Sequence, residues 1–188
     1  QCDWEWGGFG DSIKFPQPMA LEFLLRYHLK HPDSRALEMV ETSLQKMASG
    51  GMYDHLGGGF HRYSTDKKWL VPHFEKMLYD NALLSRLYVH AFQVTGNNFY
   101  LWVAKDIYEY IDREMTDENG LFCSAEDADS EGEEGTYYLW DPNEFRRHLT
   151  DSEMTLFKST FSLGEEGDFE GKTILHYNAK EMDFGFLG

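Results

Sequence analysis

Cysteine is scarce in this sequence: Cys2 and Cys123 are the only two among 188 residues. They lie far apart and form neither a Cys-x-x-Cys pair nor a zinc-finger spacing, which argues against a disulfide framework. Such cysteine usage is typical of a reducing compartment, so we predict a cytoplasmic location.

Long apolar runs are also missing, and basic residues are few. No stretch reaches the roughly 20 apolar residues of a membrane-spanning helix, and Gln1-Cys2-Asp3-Trp4 does not begin a secretion signal. The sequence has 17 Lys and Arg residues against 33 Asp and Glu residues, a formal net charge of −16. Because this charge repels phosphate backbones and anionic lipids, we expect neither a nucleic-acid partner nor a membrane surface. A start at Gln1 rather than Met suggests a piece of a longer protein.

Apolar residues recur at helical spacing in six windows, which predicts an all-α single domain over residues 1–188. The first predicted helix carries Phe23, Leu24 and Tyr27, and the second runs from a cap at Asp33 or Ser34 through Met47. The third runs from about Pro72 or His73 to near Gly96. The fourth starts at Asn97 or Asn98 and stops at Asn119-Gly120. The fifth begins at Asp141-Pro142-Asn143-Glu144, and the sixth begins with a capping box at Thr150 to Glu153.

A short β-hairpin precedes the third predicted helix. Residues 60–65 alternate in the period of a strand, Asp66-Lys67-Lys68 turns the chain, and residues 69–71 are the expected returning strand.

Three loops that contain glycine and phenylalanine resemble one another. Their phenylalanines, Phe9, Phe60 and Phe122, are 51 and then 62 residues apart. This spacing suits a helix pair with its loops, so we predict a weak internal repeat of helical hairpins. Repeated helix pairs wind into either a superhelical solenoid or a closed α/α ring, and in the ring the loops at one end converge on a central pocket.

Three long segments resemble, in order and spacing, the helical part of the spermatogenesis-associated, YyaL-like proteins. They read GGFGDSIKFPQP, GGMYDHLGGGFHRYSTDKKWLVPHFEKMLYDNA and GLFCSAEDADSEGEEGTYYLW. The resemblance implies an α/α toroid similar to N-acylglucosamine 2-epimerases and six-hairpin glycosidases, of which this chain holds about three hairpins. It also implies an N-terminal thioredoxin-like domain, which this chain does not contain.

Ionisable residues concentrate on the loops that we expect to share one end of the ring. Glycoside hydrolysis needs two carboxyl groups, for which Asp54, Glu126 and Asp127 are candidates. Sugar epimerisation or isomerisation needs a group that moves a proton at carbon, usually histidine, and the candidates are His55, His61 and His73. We select His61, His73, Asp54, Glu126 and Asp127 as catalytic candidates.

Other residues of the same segment are candidates for ligand binding. Arg62 can pair with a carboxylate or hydroxyls, and the rings of Tyr63 and Trp69 can stack on a sugar. We add His55 and Asp80 to this group, although Asp80 and Asn81 are better suited to bonding loop backbone at the ring mouth.

No metal or other cofactor is predicted. The loop from Asp127 to Gly132 fits only the first half of a calcium loop, since Tyr138 occupies the position of the bidentate glutamate. The histidine spacings match no compact zinc pattern.

Two functions remain open at this point. One is a carbohydrate-active domain, either epimerase-like, isomerase-like or glycosidase-like, with a small sugar as ligand. The alternative is a non-catalytic ligand-binding or scaffold module that supports a thioredoxin-like domain. Half a ring also leaves an apolar flank open, so self-association through that edge is expected.

Overall fold

The computed structural model describes residues 1–141, 143–162 and 167–178. The helices in these ranges are α1 (Pro18–Lys30), α2 (Ala36–Ser49), α3 (Leu78–Thr95), α4 (Asn98–Glu114), α5 (Phe145–His148) and α6 (Asp151–Thr160). The strands are β1 (Tyr63–Ser64), β2 (Pro72–His73), β3 (Lys76–Met77), β4 (Ala125–Glu126), β5 (Asp129–Ser130), β6 (Glu133–Glu134), β7 (Leu139–Trp140) and β8 (Thr173–Ile174). They pair antiparallel as β1–β2, β3–β4, β5–β6 and β7–β8. The prediction of helical hairpins with short β-hairpin loops is confirmed.

Helices α1 and α3 lie side by side and run in the same direction. Arg86 of α3 contacts Met19 of α1 at 3.6 Å, and His90 contacts Glu22 at 2.9 Å, so the partners advance together along both helices. Helices α2 and α4 meet through Gln45, whose amide nitrogen lies 3.0 Å from the Tyr100 hydroxyl. The described helices α1 to α4 therefore form two layers, each built from one helix of each hairpin.

The α1 and α3 layer is the inner one. Helix α4 has a continuous polar face with exposed Lys105, Glu109 and Asp112, as expected for a helix at the outer surface. Helix α3 is enclosed on most sides and exposes only four residues, which are Tyr79, Ala82, Arg86 and Gln93. The main core lies between the layers and extends under the loops through Tyr53, Phe60 and Trp69.

The predicted internal repeat is visible in the loops. Phe9, Phe60 and Phe122 form isolated β-bridges with Cys2, Tyr53 and Thr116, respectively. The residue after each bridge partner is an aspartate, Asp3, Asp54 or Asp117, whose Oδ1 accepts two backbone N–H groups of its own loop. Each of these three loops is thus a small closed turn with an aspartate at its start. We call them the Gly-x-Phe loops.

The third helix begins later than the sequence predicts. Residues 72–77 form β2 and β3 instead, and α3 starts at Leu78. Pro72 is accommodated because it sits in a two-stranded ladder opposite Ser64, and β3 pairs with β4, some fifty residues away. The hairpin itself is confirmed, but its returning strand is β2 rather than residues 69–71.

Two other helix ends also differ. Helix α2 starts after Arg35 without a side-chain cap from Asp33 or Ser34, and α4 ends at Glu114, before Asn119. The buried face of α1 differs as well: it carries Leu21 and Leu25, whereas the predicted apolar residues Phe23 and Tyr27 are exposed.

The remaining ends follow the prediction more closely. Gly96 ends α3 in the left-handed conformation, Asn97 caps α4, and Thr150 and Glu153 form the capping box of α6. The fifth helix is a single turn, and Pro142 of its predicted start lies outside the described residues. Among the described residues, no helix has the length and apolarity needed to cross a membrane.

Candidate functional site

The structure places seven of the ten predicted site residues in two groups. We call Arg62, Tyr63, His73 and Asp80 the rim cluster, because they lie where the inner helices α1 and α3 begin. We call the space lined by Asp54, His55 and His61 the loop cavity. Glu126, Asp127 and Trp69 belong to neither.

The rim is built by strand β1. Backbone bonds of 2.9 and 2.8 Å join Lys14, which precedes α1, to Ser64 of β1, and β1 pairs with β2 in front of α3. The ring of Phe15 packs on Tyr63 with centroids 4.8 Å apart. This hairpin therefore brings the N-terminal ends of the two inner helices together.

His73 is held between two carboxylates at the rim. Its Nδ1 lies 2.6 Å from Oε1 of Glu134, and its Nε2 lies 3.7 Å from Oε2 of Glu75. The Tyr63 ring stacks on the imidazole with centroids 5.0 Å apart. Because a carboxylate can only accept, the proton sits on Nδ1, and Nε2 is too far from Glu75 for a hydrogen bond. In the neutral form of the imidazole, Nε2 is therefore the nitrogen that can accept a proton.

Arg62 and Asp80 lie near Glu75, the second carboxylate next to His73. Arg62 Nη1 is paired with Glu75 Oε2 at 2.8 Å, while its Nε is buried and has no partner among the described residues. Asp80 is only 8% exposed, and burial raises its pKa to about 6, assisted by Glu75 and opposed by Arg62. Its carboxyl group is thus poised between the protonated and ionised forms near neutral pH.

Asp54 lies at the base of the loop cavity and is already saturated with donors. Its Oδ1 accepts the N–H groups of Leu56 and Gly57, and its Oδ2 accepts Lys76 Nζ at 2.8 Å. Burial acts to raise the pKa of Asp54, but Lys76 and the backbone donor of Gly57 outweigh it and hold the pKa below its usual value. Asp54 is therefore an ionised structural anchor rather than a proton donor.

The two histidines of the loop cavity have defined tautomers. His61 Nδ1 lies 3.0 Å from the carbonyl oxygen of Phe74, and His55 Nε2 lies 3.0 Å from that of Gly50. Each of these nitrogens must carry the proton, since a carbonyl only accepts, and the opposite ring nitrogen is an acceptor. Burial lowers the pKa of His61 to about 3, assisted by Lys76, and that of His55 to about 4, so both rings are neutral at pH 7.

Three predicted site residues occupy other positions. Trp69 is fully buried, and its Nε1 donates to the Trp6 carbonyl at 2.8 Å, so the prediction that it stacks on a ligand is wrong. Glu126 accepts the Tyr110 hydroxyl at 2.6 Å. Asp127 is exposed and accepts the backbone N–H of Asp129, as in an ordinary turn. Neither carboxylate shares a site with His61 or His73 in the described structure.

Sequence reasoning missed several residues of both sites. Glu75 and Glu134 bracket His73, and Lys76 neutralises Asp54. Buried Phe74 and Lys76 alternate with half-buried Glu75 and Met77, as in a strand, whereas the sequence pattern predicts a helix here. Among the described residues, no group of three or more His, Cys, Asp or Glu side chains is arranged to hold a metal ion.

Comparison with known proteins identifies the family. No known family profile matches the chain. Over 157 residues it is 50% identical to spermatogenesis-associated protein 20 of Mus musculus, and equally identical to the Homo sapiens protein; each match covers 78% of this chain. The chain belongs to the family of spermatogenesis-associated protein 20. It spans about a fifth of the length of these family members, since each match covers 20% of the relative.

Solved structures show which fold this family member has. A sugar epimerase from a ruminal bacterium superposes with a TM-score of 0.60 at 18% identity, covering 67% of this chain and 35% of the epimerase. Cellobiose 2-epimerase from Bacillus thermoamylovorans gives 0.59 at 18% identity, covering 67% and 36%. A family 76 glycoside hydrolase from a bovine Bacteroides thetaiotaomicron strain gives 0.54 at 15% identity, covering 82% and 37%. The chain is therefore part of an (α/α)6 toroid, as the sequence predicted.

Proposed function

We propose that this toroid part acts on a carbohydrate at the rim cluster, as a sugar epimerase or isomerase. The observation that carries the proposal is the placement of His73, whose Nδ1 is fixed by Glu134 while its Nε2 is left free beside Glu75. The toroid fold shared with sugar epimerases supports the substrate class.

The chemistry follows from the two carboxylates. Epimerisation and isomerisation remove a proton from the carbon next to a sugar carbonyl, and His73 Nε2 is placed to accept it. The imidazolium formed in this way gains charge partners in Glu134 and Glu75, which stabilise it without further movement. The proton then returns to carbon from the same imidazolium, which restores neutral His73 for the next turnover.

Exposed side chains around the rim supply binding groups. Phe15 and Tyr79 are each about half exposed and offer ring faces for the apolar side of a sugar. The Arg62 side chain is partly exposed, and hydroxyl oxygens can accept from the exposed N–H groups of its guanidinium.

A second candidate function is glycoside hydrolysis. It is favoured by Asp80 alone, because a buried carboxyl with a raised pKa is what the general acid of such enzymes requires. The family 76 hydrolase among the structural neighbours has the same fold.

The experiment compares His73→Gln with His148→Gln, an exposed histidine at the end of α5, in the full-length protein. Aldoses, ketoses and disaccharides are titrated by calorimetry, and conversion is followed by NMR. We expect His73→Gln to lower kcat by about 100-fold or more with little change in KM, and His148→Gln to match wild type. Equal rates in both variants would contradict the proposal. Sugar binding without conversion by wild type would instead favour the non-catalytic module, and a loss confined to Asp80→Asn would favour glycoside hydrolysis.

A further inference from the structure

The loop cavity is separate from the rim cluster and shares none of its four residues. Its volume is about 470 Å³, within the range of roughly 300–1,000 Å³ that is usual for small-molecule sites. Loop residues 51–57, the C-terminal end of α4 and the antiparallel pair β7–β8 all contribute to its wall.

Aromatic rings cover much of this wall. Tyr138 stacks on Phe74 with ring planes 7° apart, and Tyr137 and Trp140 flank Tyr138 along the chain. Tyr137 is 78% exposed, so its ring has room to contact a ligand at the entrance. Flat aromatic faces of this kind bind the apolar C–H face of a sugar ring.

A polar atom of the wall that is open to a ligand is an acceptor. His55 Nδ1 is fully buried, so a ligand in the cavity does not contact it. His61 lines the cavity, and Nε2 is its acceptor nitrogen, since Nδ1 donates to the Phe74 carbonyl. A ligand hydroxyl that donates to Nε2 satisfies this atom.

The charges of the cavity are already neutralised. Asp54 is paired with Lys76, and Arg113 Nε donates to Glu114 Oε1 at 2.8 Å near the entrance. Since no charged group among the described residues of the wall lacks a partner of opposite sign, the wall favours a neutral ligand over an ion.

From these features we infer that the loop cavity is a second binding site, for a neutral pyranose sugar. The sugar ring lies against Tyr137 and Trp140, and one of its hydroxyl groups donates to His61 Nε2. Binding at this site does not require a reaction at the rim cluster, because the ligand contacts only residues of the cavity wall.

The test is calorimetric titration of the full-length protein with glucose, mannose, N-acetylglucosamine and cellobiose, with adenine as a flat neutral compound that is not a sugar. His61→Phe replaces the imidazole by a phenyl ring and so removes the acceptor, and Trp140→Ala removes an aromatic face. The matched controls are His148→Phe and Trp4→Ala, which alter exposed residues outside the cavity. Thermal melting establishes that each variant is folded.

We expect wild type to bind at least one of the sugars at the cavity and each cavity variant to weaken that binding about tenfold or more, while both controls stay within twofold. The inference is overturned if the cavity variants bind every sugar as wild type does, if adenine binds in place of sugar, or if no sugar binds. Should a sugar bind at the cavity while His73→Gln changes no rate, the proposed function fails and this inference stands. Conversely, if conversion depends on His73 but the cavity variants bind every sugar as wild type does, this inference is overturned and the proposed function stands.

Discussion

Lys76 Nζ lies 2.8 Å from Oδ2 of Asp54, beneath the second Gly-x-Phe loop. The first loop repeats this arrangement with Lys14 and Asp3 at 2.6 Å. Both lysine side chains are almost completely buried, and each also donates to a glycine carbonyl of its loop. A buried ammonium group thus fixes the shape of each of these two loops.

Replacing Lys76 by methionine is expected to destabilise the fold by about 3 kcal/mol, because it leaves the Asp54 carboxylate buried without its cation. Urea unfolding measures the loss. Arg35→Met is the control, since the Arg35–Glu38 pair is exposed and screened by solvent, so its loss is expected to cost much less stability. Equal unfolding midpoints in the two variants would show that the buried pair does not stabilise the loop.

Asp80→Asn is expected to change how stability depends on pH. The folded pKa of Asp80 is about 6, above the value of about 4 in an unfolded chain. Folded Asp80 therefore holds its proton more tightly, and this residue's contribution to stability falls as the pH rises from about 4 to 6. The difference in unfolding free energy between variant and wild type, measured at pH 4 and pH 7, is expected to shift in favour of the variant at pH 7. No shift would mean that Asp80 titrates normally.

Gly59→Ala and Gly96→Ala separate two costs of a left-handed glycine. Both residues have φ near +75°, but a Cβ at Gly59 would lie 2.4 Å from Cδ1 of Tyr110, whereas nothing lies within 4 Å at Gly96. The Tyr110 ring cannot easily move, because its hydroxyl is bonded to Glu126 and Lys76 lies over its face. We expect a loss of about 1 kcal/mol at Gly96 and about 3 kcal/mol at Gly59 by urea unfolding. Similar losses would contradict the close packing of loop and ring.

The 188-residue chain made by itself is expected to self-associate through helix α1. Met19, Phe23 and Tyr27 form an exposed apolar stripe along this inner helix, four residues apart. Light scattering is expected to show dimers or larger species, reduced in Phe23→Lys but not in Tyr108→Lys on the outer helix α4. A monodisperse wild-type monomer would exclude this surface as an interface.

The helices could be predicted from the sequence wherever local signals determine them. The stop at Gly96, the cap at Asn97 and the capping box at Thr150 each depend on one or two neighbouring residues. The start of α3 does not depend on neighbouring residues alone, because partners near residue 125 hold Lys76 and Met77 in a strand.

The candidate site shows the same limit. Glycine and phenylalanine revealed the repeated loops, and the aspartate six residues before Phe9 and Phe60 was a further signal that sequence inspection alone can find. The pairing of His73 with Glu134 joins residues 61 positions apart and comes only from tertiary structure. For the same reason, Asp127 looked like a site residue although it lies in an exposed turn.

Solvent hydrogen exchange tests the central claim, proton transfer at carbon by His73, most directly. The full-length protein is incubated in D₂O with the panel of aldoses and ketoses, and deuterium at the carbon beside the carbonyl is followed by NMR. The account predicts incorporation with wild type and with His148→Gln, and a loss of about 100-fold or more with His73→Gln. Incorporation by His73→Gln at the wild-type rate, or none with wild type for any sugar, would contradict it.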